Sequence, residues 1–142
     1  MKILELLTPK REIGNFGERA AVKYLKKNGY KIRERNYVAL GNEIDIIAED
    51  KNVLAFVEVK TRTKGKESIR EPRPACSVNQ KKQQSIIHVA RYYHSANKHR
   101  LDDKPIRFDI VEVFINDNNA TKSVAEIKHL VGAFNGDTAY RK

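Results

Sequence analysis

A chain of 142 residues, 40% of them hydrophobic, is long enough for one domain with a real core and leaves little room for a second. A formal net charge of +10, within a charged fraction of 32% that is mixed in sign, excludes wholesale disorder and favours a polyanionic partner. No run of about 18 apolar residues is present, which excludes a transmembrane helix, and a single cysteine, Cys76, excludes an internal disulfide framework.

The N-terminal apolar patch is broken by Glu5 and is too short for a signal-peptide core, so a cytoplasmic location is expected. Residues 1–142 read as one domain, with 1–12 and 136–142 as loose tails and Pro9 limiting any helical turn in the first. The first helix is expected from about Phe16 to Asn28. Asn15 and Glu18 have capping-box spacing, Gly29 supplies the stop, and Ala20, Ala21, Tyr24 and Leu25 make the apolar stripe. A strand from Tyr30 to Asn36 follows. Next comes a hairpin with strands near 43–48 and 53–60, joined by a turn in Glu49-Asp50-Lys51-Asn52. Thr61 to Pro74, rich in charge with Gly65, Pro72 and Pro74, reads as a mobile basic loop.

A second helix is expected from about Val78 to Ala96, capped by Asn79, with Val78, Ile86, Ile87, Ala90 and Tyr93 on its apolar face. Ile106 to Ile115 reads as a long strand, and residues 125–134 as a final short strand or turn of helix. This order predicts an α/β domain with a mixed central sheet covered on both faces.

The hairpin raises the functional question. Glu43, Asp45, Glu58 and Lys60 interrupt its apolar runs, and charged groups are rarely buried unless paired or bound to something. If the hairpin loop holds an even number of residues, odd positions of the first strand share a face with even positions of the second. Ile44 and Ile46 then lie beside Val57 and Val59, while Glu43 and Asp45 lie beside Glu58 and Lys60. Gathered carboxylates repel unless a cation or protons sit among them, and their hard oxygens suit Mg²⁺ or Mn²⁺. With a lysine alongside, such a site suits phosphodiester cleavage. A structural ion-pair cluster explains the same spacing equally well.

Asp45, a hairpin and then Glu58-Val59-Lys60 resembles the D…(D/E)xK signature of the restriction-endonuclease-like nuclease superfamily. Around it, Gly14-x-x-Gly17-Glu18, Gly29-Tyr30, Arg35-Asn36, Glu43-Ile44-Asp45, Phe56 to Lys60 with Arg62, Lys82 and Arg107-Phe108-Asp109 run in order. Together they resemble the YraN-like family of uncharacterised bacterial proteins, related in fold to archaeal Holliday junction resolvases. The resemblance implies an α/β restriction-endonuclease-like fold, a mixed central β-sheet flanked by helices. It implies Asp45, Glu58 and the Val59 carbonyl as ligands of Mg²⁺ or Mn²⁺, Lys60 as the catalytic lysine, and Glu18 as the helix acid completing the site. The sequence departs from the expected pattern at Asn42, where a glycine is expected and Gly41 stands one position earlier.

Arg62 and Lys64, with Lys66, Arg70 and Arg73 beyond them, and Lys81 and Lys82 at the start of the second helix are the candidate phosphate contacts. Arg107 and Asp109 read first as structural partners, and the four histidines share no metal spacing. The expected function is metal-dependent cleavage of DNA, with branched or single-stranded forms suggested by fold analogy, and DNA ahead of RNA as partner. The alternatives are a non-catalytic nucleic-acid-binding module, or an RNA or protein interaction factor, on the same fold. Resolvase-like relatives are dimers, but the sequence identifies no dimer interface.

Overall fold

Pro9 opens the first helix instead of confining it. The computed structural model describes residues 9–65, 78–97, 104–118 and 120–135. The outer tails, Cys76, His99 and the basic loop from Lys66 onward lie outside these residues. Helix α1 runs Pro9–Lys27, well ahead of the expected start and inside the stretch read as a loose tail. A proline costs little at the first helical position, because the N–H it lacks has no acceptor there. Asn15 is therefore inside the helix, and the capping box with Glu18 does not form. At the other end, Tyr30 N–H donates to the Leu25 carbonyl at 3.0 Å and Gly29 N–H to Lys26 at 3.2 Å. Gly29 sits at φ +89°, the left-handed position this helix stop requires.

The strands are β1 Lys31–Ala39, β2 Asn42–Glu49, β3 Leu54–Thr63, β4 Ile106–Asp117 and β5 Lys122–Phe134, with α2 at Gln80–Ala96 between β3 and β4. They form one sheet in the order β1-β2-β3-β4-β5. The β3–β4 pair is parallel and the other three are antiparallel. Parallel neighbours need a long crossover, and α2 lies within it. This is the expected architecture, a restriction-endonuclease-like mixed sheet with a helix on each face.

Several boundaries differ from expectation. Leu40 and Gly41, at φ +54° and +75°, make a two-residue hairpin turn of the type that matches strand twist. Gly41 thus belongs to the turn, and Asn42 already to β2. Thr61 to Thr63 prolong β3 instead of starting a loop, because β4 pairs with them as far as Ile115. The last element is a full 13-residue strand, since the 12-residue β4 offers it a ladder along its length. Asn79 caps α2 as expected, its side chain accepting from Lys82 N–H at 2.9 Å.

Two cores sandwich the sheet. On one side Ala21, Val22 and Leu25 of α1 pack on Ile46, Val57, Val111 and Val113. On the other, Ile86, Ile87, Val89, Ala90 and Tyr93 of α2 pack on Ile47, Phe56, Phe108 and Ile110. An aromatic chain crosses this second face, Tyr37–Tyr93–Phe56–Phe108–Phe134, with successive ring centroids 5.0, 6.0, 5.9 and 5.0 Å apart. Such pairs add about 0.5–1.5 kcal/mol each beyond the area they bury.

Gly17 lets α1 lie directly on the site end of β3. A Cβ there would collide with the Thr61 side chain, whereas one on Gly14 would meet nothing. Alanine normally stabilises a helix by about 1 kcal/mol over glycine. Gly14→Ala is expected to do so, while Gly17→Ala loses roughly 1–3 kcal/mol to the clash. Urea denaturation of the two variants reads this opposition, and stabilisation by both would contradict the close approach.

Candidate active site

Side-chain alternation along β3 decides what faces each helix. Ala55, Val57 and Val59 join the core under α1, and Leu54 and Phe56 the core under α2. Glu58, Lys60 and Arg62 continue the second set. The hairpin register pairs Ile46 with Val57 and Glu49 with Leu54, so the loop is even. Asp50 holds that loop, its Oδ1 accepting from the N–H groups of Asn52 and Val53 at 2.8 and 2.9 Å.

The β2–β3 ladder stops at Ile46–Val57. Beyond that pair the Asp45 side chain takes over, its Oδ2 accepting from Val59 N–H at 2.8 Å. Alternation breaks at the same point. Ile46 packs under α1 with Val57 and Val59, as expected, but Ile44 packs under α2. On neighbouring β1, Asn36 lies between the pairs Arg35–Ile46 and Tyr37–Ile44 and has φ +51°. With its amide turned so that the nitrogen faces the two acids, it donates to Glu18 Oε1 at 2.8 Å and to Glu43 Oε1 at 2.9 Å. Glu43 is accordingly exposed and joined to α1 through Asn36.

Asp45 and Glu58 form the heart of the site. Glu58 has a side chain only 10% exposed, and its carboxyl is pushed up to about 7, first by burial and then by the Asp45 charge. Burial also raises Asp45, against the Val59 N–H, and Glu43 raises it further. Lys82 and Lys60 pull both carboxyls back down, which places α2's Lys82 in the field of the pair. Lys60 Nζ lies 3.9 Å from Glu58 Oε1, an ion pair too long for a hydrogen bond.

Glu49 and Asp109 behave oppositely. Burial raises Glu49, but hydrogen bonds from Lys104 at 2.9 Å and Arg33 at 2.6 Å win and hold it below the ordinary carboxylate range. Asp109 is fully buried, yet held low by His129 at 2.8 Å, by two bonds from Arg107 at 2.8 and 2.7 Å, and by Gly132 N–H at 3.0 Å. Arg107 and Asp109 are thus structural partners, as their alternation suggested. Arg62, a candidate phosphate contact, donates from Nε to the buried Glu112 at 2.7 Å. Lys64 and Lys81 are exposed.

Asn36, Glu112 and His129 carry roles that sequence reasoning missed. Glu112 had a visible signal, a carboxylate inside the aliphatic run of β4. Among the described residues no group of three or more His, Cys, Asp or Glu side chains is arranged to hold a metal. The Asp45–Glu58 pair does fit Mg²⁺ or Mn²⁺, which are commonly bound through one or two carboxylates and keep several waters. The described residues also contain no helix long and apolar enough to cross a membrane.

Residues 17–113 match the Uncharacterised protein family UPF0102, a span that includes every acid and lysine named at the site. The chain belongs to this family. It is the YraN-like family to which the motif order pointed. A UPF0102 protein of Caldanaerobacter subterraneus subsp. tengcongensis is 40% identical over 125 residues, covering 88% of this chain and 96% of the relative. One from Clostridioides difficile is 42% identical over 124 residues, covering 87% and 97%. One from Caldicellulosiruptor bescii is 45% identical over 114 residues, covering 79% and 91%.

The raised Glu58 of this UPF0102 chain has a signed consequence. An acid whose folded value lies above its unfolded one favours folding fully below about 4.5 and loses that contribution as pH rises through about 7. At 1.36 kcal/mol per unit the penalty reaches about 3 kcal/mol. In chelator, Glu58→Gln is therefore expected to exceed wild type in stability by up to about 3 kcal/mol near pH 8, and to match it near pH 4.5. Denaturation curves that stay parallel across this range would show that the carboxyl is not destabilised by its surroundings.

Proposed function

We propose that this UPF0102 protein hydrolyses DNA phosphodiesters, in branched or single-stranded DNA, with Mg²⁺ or Mn²⁺ held by Asp45, Glu58 and the backbone carbonyl of Val59. One observation carries the reading: the half-buried Asp45 and buried Glu58 carboxyls are raised together, with lysines from β3 and α2 close enough to oppose the rise. Charge that a fold leaves unneutralised in a buried position is a functional-site signal. When bound, the cation would act as a Lewis acid and lower the pKa of a coordinated water.

The chain's own groups supply the rest. Val59 N–H fixes the Asp45 carboxylate. The Lys60 ammonium, two residues from Glu58 on the same strand face, offers donors to the charge that builds on a phosphate oxygen during attack. Lys82 adds a second positive charge from the start of α2, suited to holding a backbone phosphate. Exposed Lys64 and Lys81 extend that positive track at the surface. Glu18, joined to Glu43 through Asn36, is the helix acid that would complete the set when a cation is bound.

A second reading, a nucleic-acid-binding module without cleavage, is favoured by the lack of a three-ligand cluster among the described residues. Cleavage assays on junction, flap, single-stranded and duplex DNA, with RNA counterparts, separate the two. The enzyme reading expects cutting that requires Mg²⁺ or Mn²⁺, is abolished by Asp45→Asn, and falls about 10²–10³-fold in Lys60→Ala. Binding that persists with no cutting in either metal supports the module. In both readings affinity falls steeply with added salt, and Lys82→Ala flattens that slope by about one counterion. A salt-independent complex would contradict a phosphate-contacting surface.

A further inference from the structure

Glu112 is the most buried acid beside the site, and neither reading above uses it. It lies on β4 directly across the parallel ladder from Lys60, with Ile110 across from Glu58 and Phe114 across from Arg62. Alternation on β4 sends Phe108 and Ile110 under α2 and Val111 and Val113 under α1, so Glu112 shares the face of Glu58, Lys60 and Arg62. Its side chain is 1% exposed. Arg62 Nε donates to one carboxylate oxygen, Oε2, at 2.7 Å. The other, Oε1, is buried and has no hydrogen-bond partner among the described residues.

A buried acceptor left unpaired is costly, more so when charged, so a donor brought within reach is strongly favoured. The donor at hand is Lys60. Its ammonium carries three N–H groups on a flexible four-carbon stem. Glu112 sits one strand spacing away, about 4.8 Å, and Glu58 two residues along the same strand, about 6.6 Å. Both carboxylates are therefore available to the same lysine. Lys60 now stands 3.9 Å from Glu58 Oε1, held by charge without a hydrogen bond.

We propose that Glu112 is a positioning residue for Lys60: when the charge of Glu58 is neutralised, the Lys60 ammonium moves across to Glu112 Oε1 and is fixed there. A cation on Asp45 and Glu58 removes what attracts Lys60 to Glu58, while Glu112, clamped by Arg62, keeps its unpaired oxygen. The lysine then leaves Glu58 and stands at a defined point beside the site. Arg62 acts in this arrangement as the clamp on Glu112, not as a phosphate contact. The value of this movement for catalysis rests on the nuclease reading; the movement itself does not.

The experiment needs neither metal nor DNA. Glu58→Gln neutralises the position chemically, and ¹⁵N spectroscopy of lysine ammonium groups follows Lys60, assigned by its loss in Lys60→Met. Hydrogen exchange of the Lys60 ammonium with water is expected to be at least about fivefold slower in Glu58→Gln than in Glu58→Gln/Glu112→Gln. Lys104, bonded to Glu49 in another part of the sheet, serves as the unchanged control. Equal exchange at Lys60 in the two proteins overturns the proposal. Should Glu112→Gln prevent folding, the Glu112 carboxyl ¹³C resonance is compared in Glu58→Gln with and without Lys60→Met; a shift supports the contact and an unmoved resonance overturns it. A protein that never cuts DNA leaves these outcomes intact, so failure of the nuclease reading and failure of the lysine docking are distinguishable.

Discussion

Asp45 and Glu58 meet where β2 and β3 part, and much of the local structure follows from keeping two carboxylates there. A continued ladder would have satisfied the Val59 amide through backbone. Instead the ladder ends at Ile46–Val57 and the Asp45 side chain accepts that N–H. The parting strands break the alternation of β2, sending Ile44 and Ile46 to opposite cores. Asn36 takes a left-handed backbone alongside, a conformation asparagine tolerates better than most residues. From the α1 side, Gly17 allows the helix to rest on Thr61. From the α2 side, Lys82 enters the field of the pair.

The fold treats its buried charges in two ways, and the contrast locates function. Glu49 binds Arg33 from β1 and Lys104 from the segment ahead of β4, tying one end of the sheet together. Asp109 binds Arg107 and His129, while Tyr24 and Tyr30 bond to those two partners, linking α1, β4 and β5. Both acids end below the ordinary carboxylate range, so each network favours the folded, ionised state above that range. Asp45 and Glu58 end above it. A fold that pairs Glu49 and Asp109 so fully, yet leaves Asp45 and Glu58 opposed, holds a local deficit of positive charge there. Two lysines narrow that deficit without closing it.

How much of this was legible depended on whether the signal was local. Gly29 as a helix stop, Asn79 as a cap and the even loop between Glu49 and Leu54 each follow from a few adjacent residues, and each reads correctly from sequence. Pro9 and Asn15 were misread because a proline can open a helix as well as block one, and only the packing of α1 on the sheet decides which. The length of β5 was unreadable for a different reason: its pattern is weak, and its extent is set by a partner strand. At the site, hairpin parity placed Asp45 with Glu58, but it assumed unbroken alternation. It therefore put Ile44 on the wrong face and missed the bridge from Asn36 to Glu18 and Glu43. Arg62 shows the same limit, since its partner Glu112 lies 50 positions away in sequence.

That partner also revises what the basic surplus means. A net charge of +10 suggests a surface of interchangeable cations facing a polyanion. The structure divides them by depth. Arg33, Arg107 and Lys104 are committed to buried acids, and Arg62 to Glu112. A guanidinium suits such fixed pairings because its planar fork loses little freedom for each bond it forms. Around the acids the cations are lysines instead: Lys60 and Lys82 at the pair, with Lys64 and Lys81 exposed beyond. An ammonium on a long stem can exchange one oxygen for another, from carboxylate to phosphate, as charge at the site changes. Apart from Lys104, arginine holds the frame and lysine the mouth of the site, a division of labour that follows from the chemistry of the two side chains. Net charge alone does not reveal it.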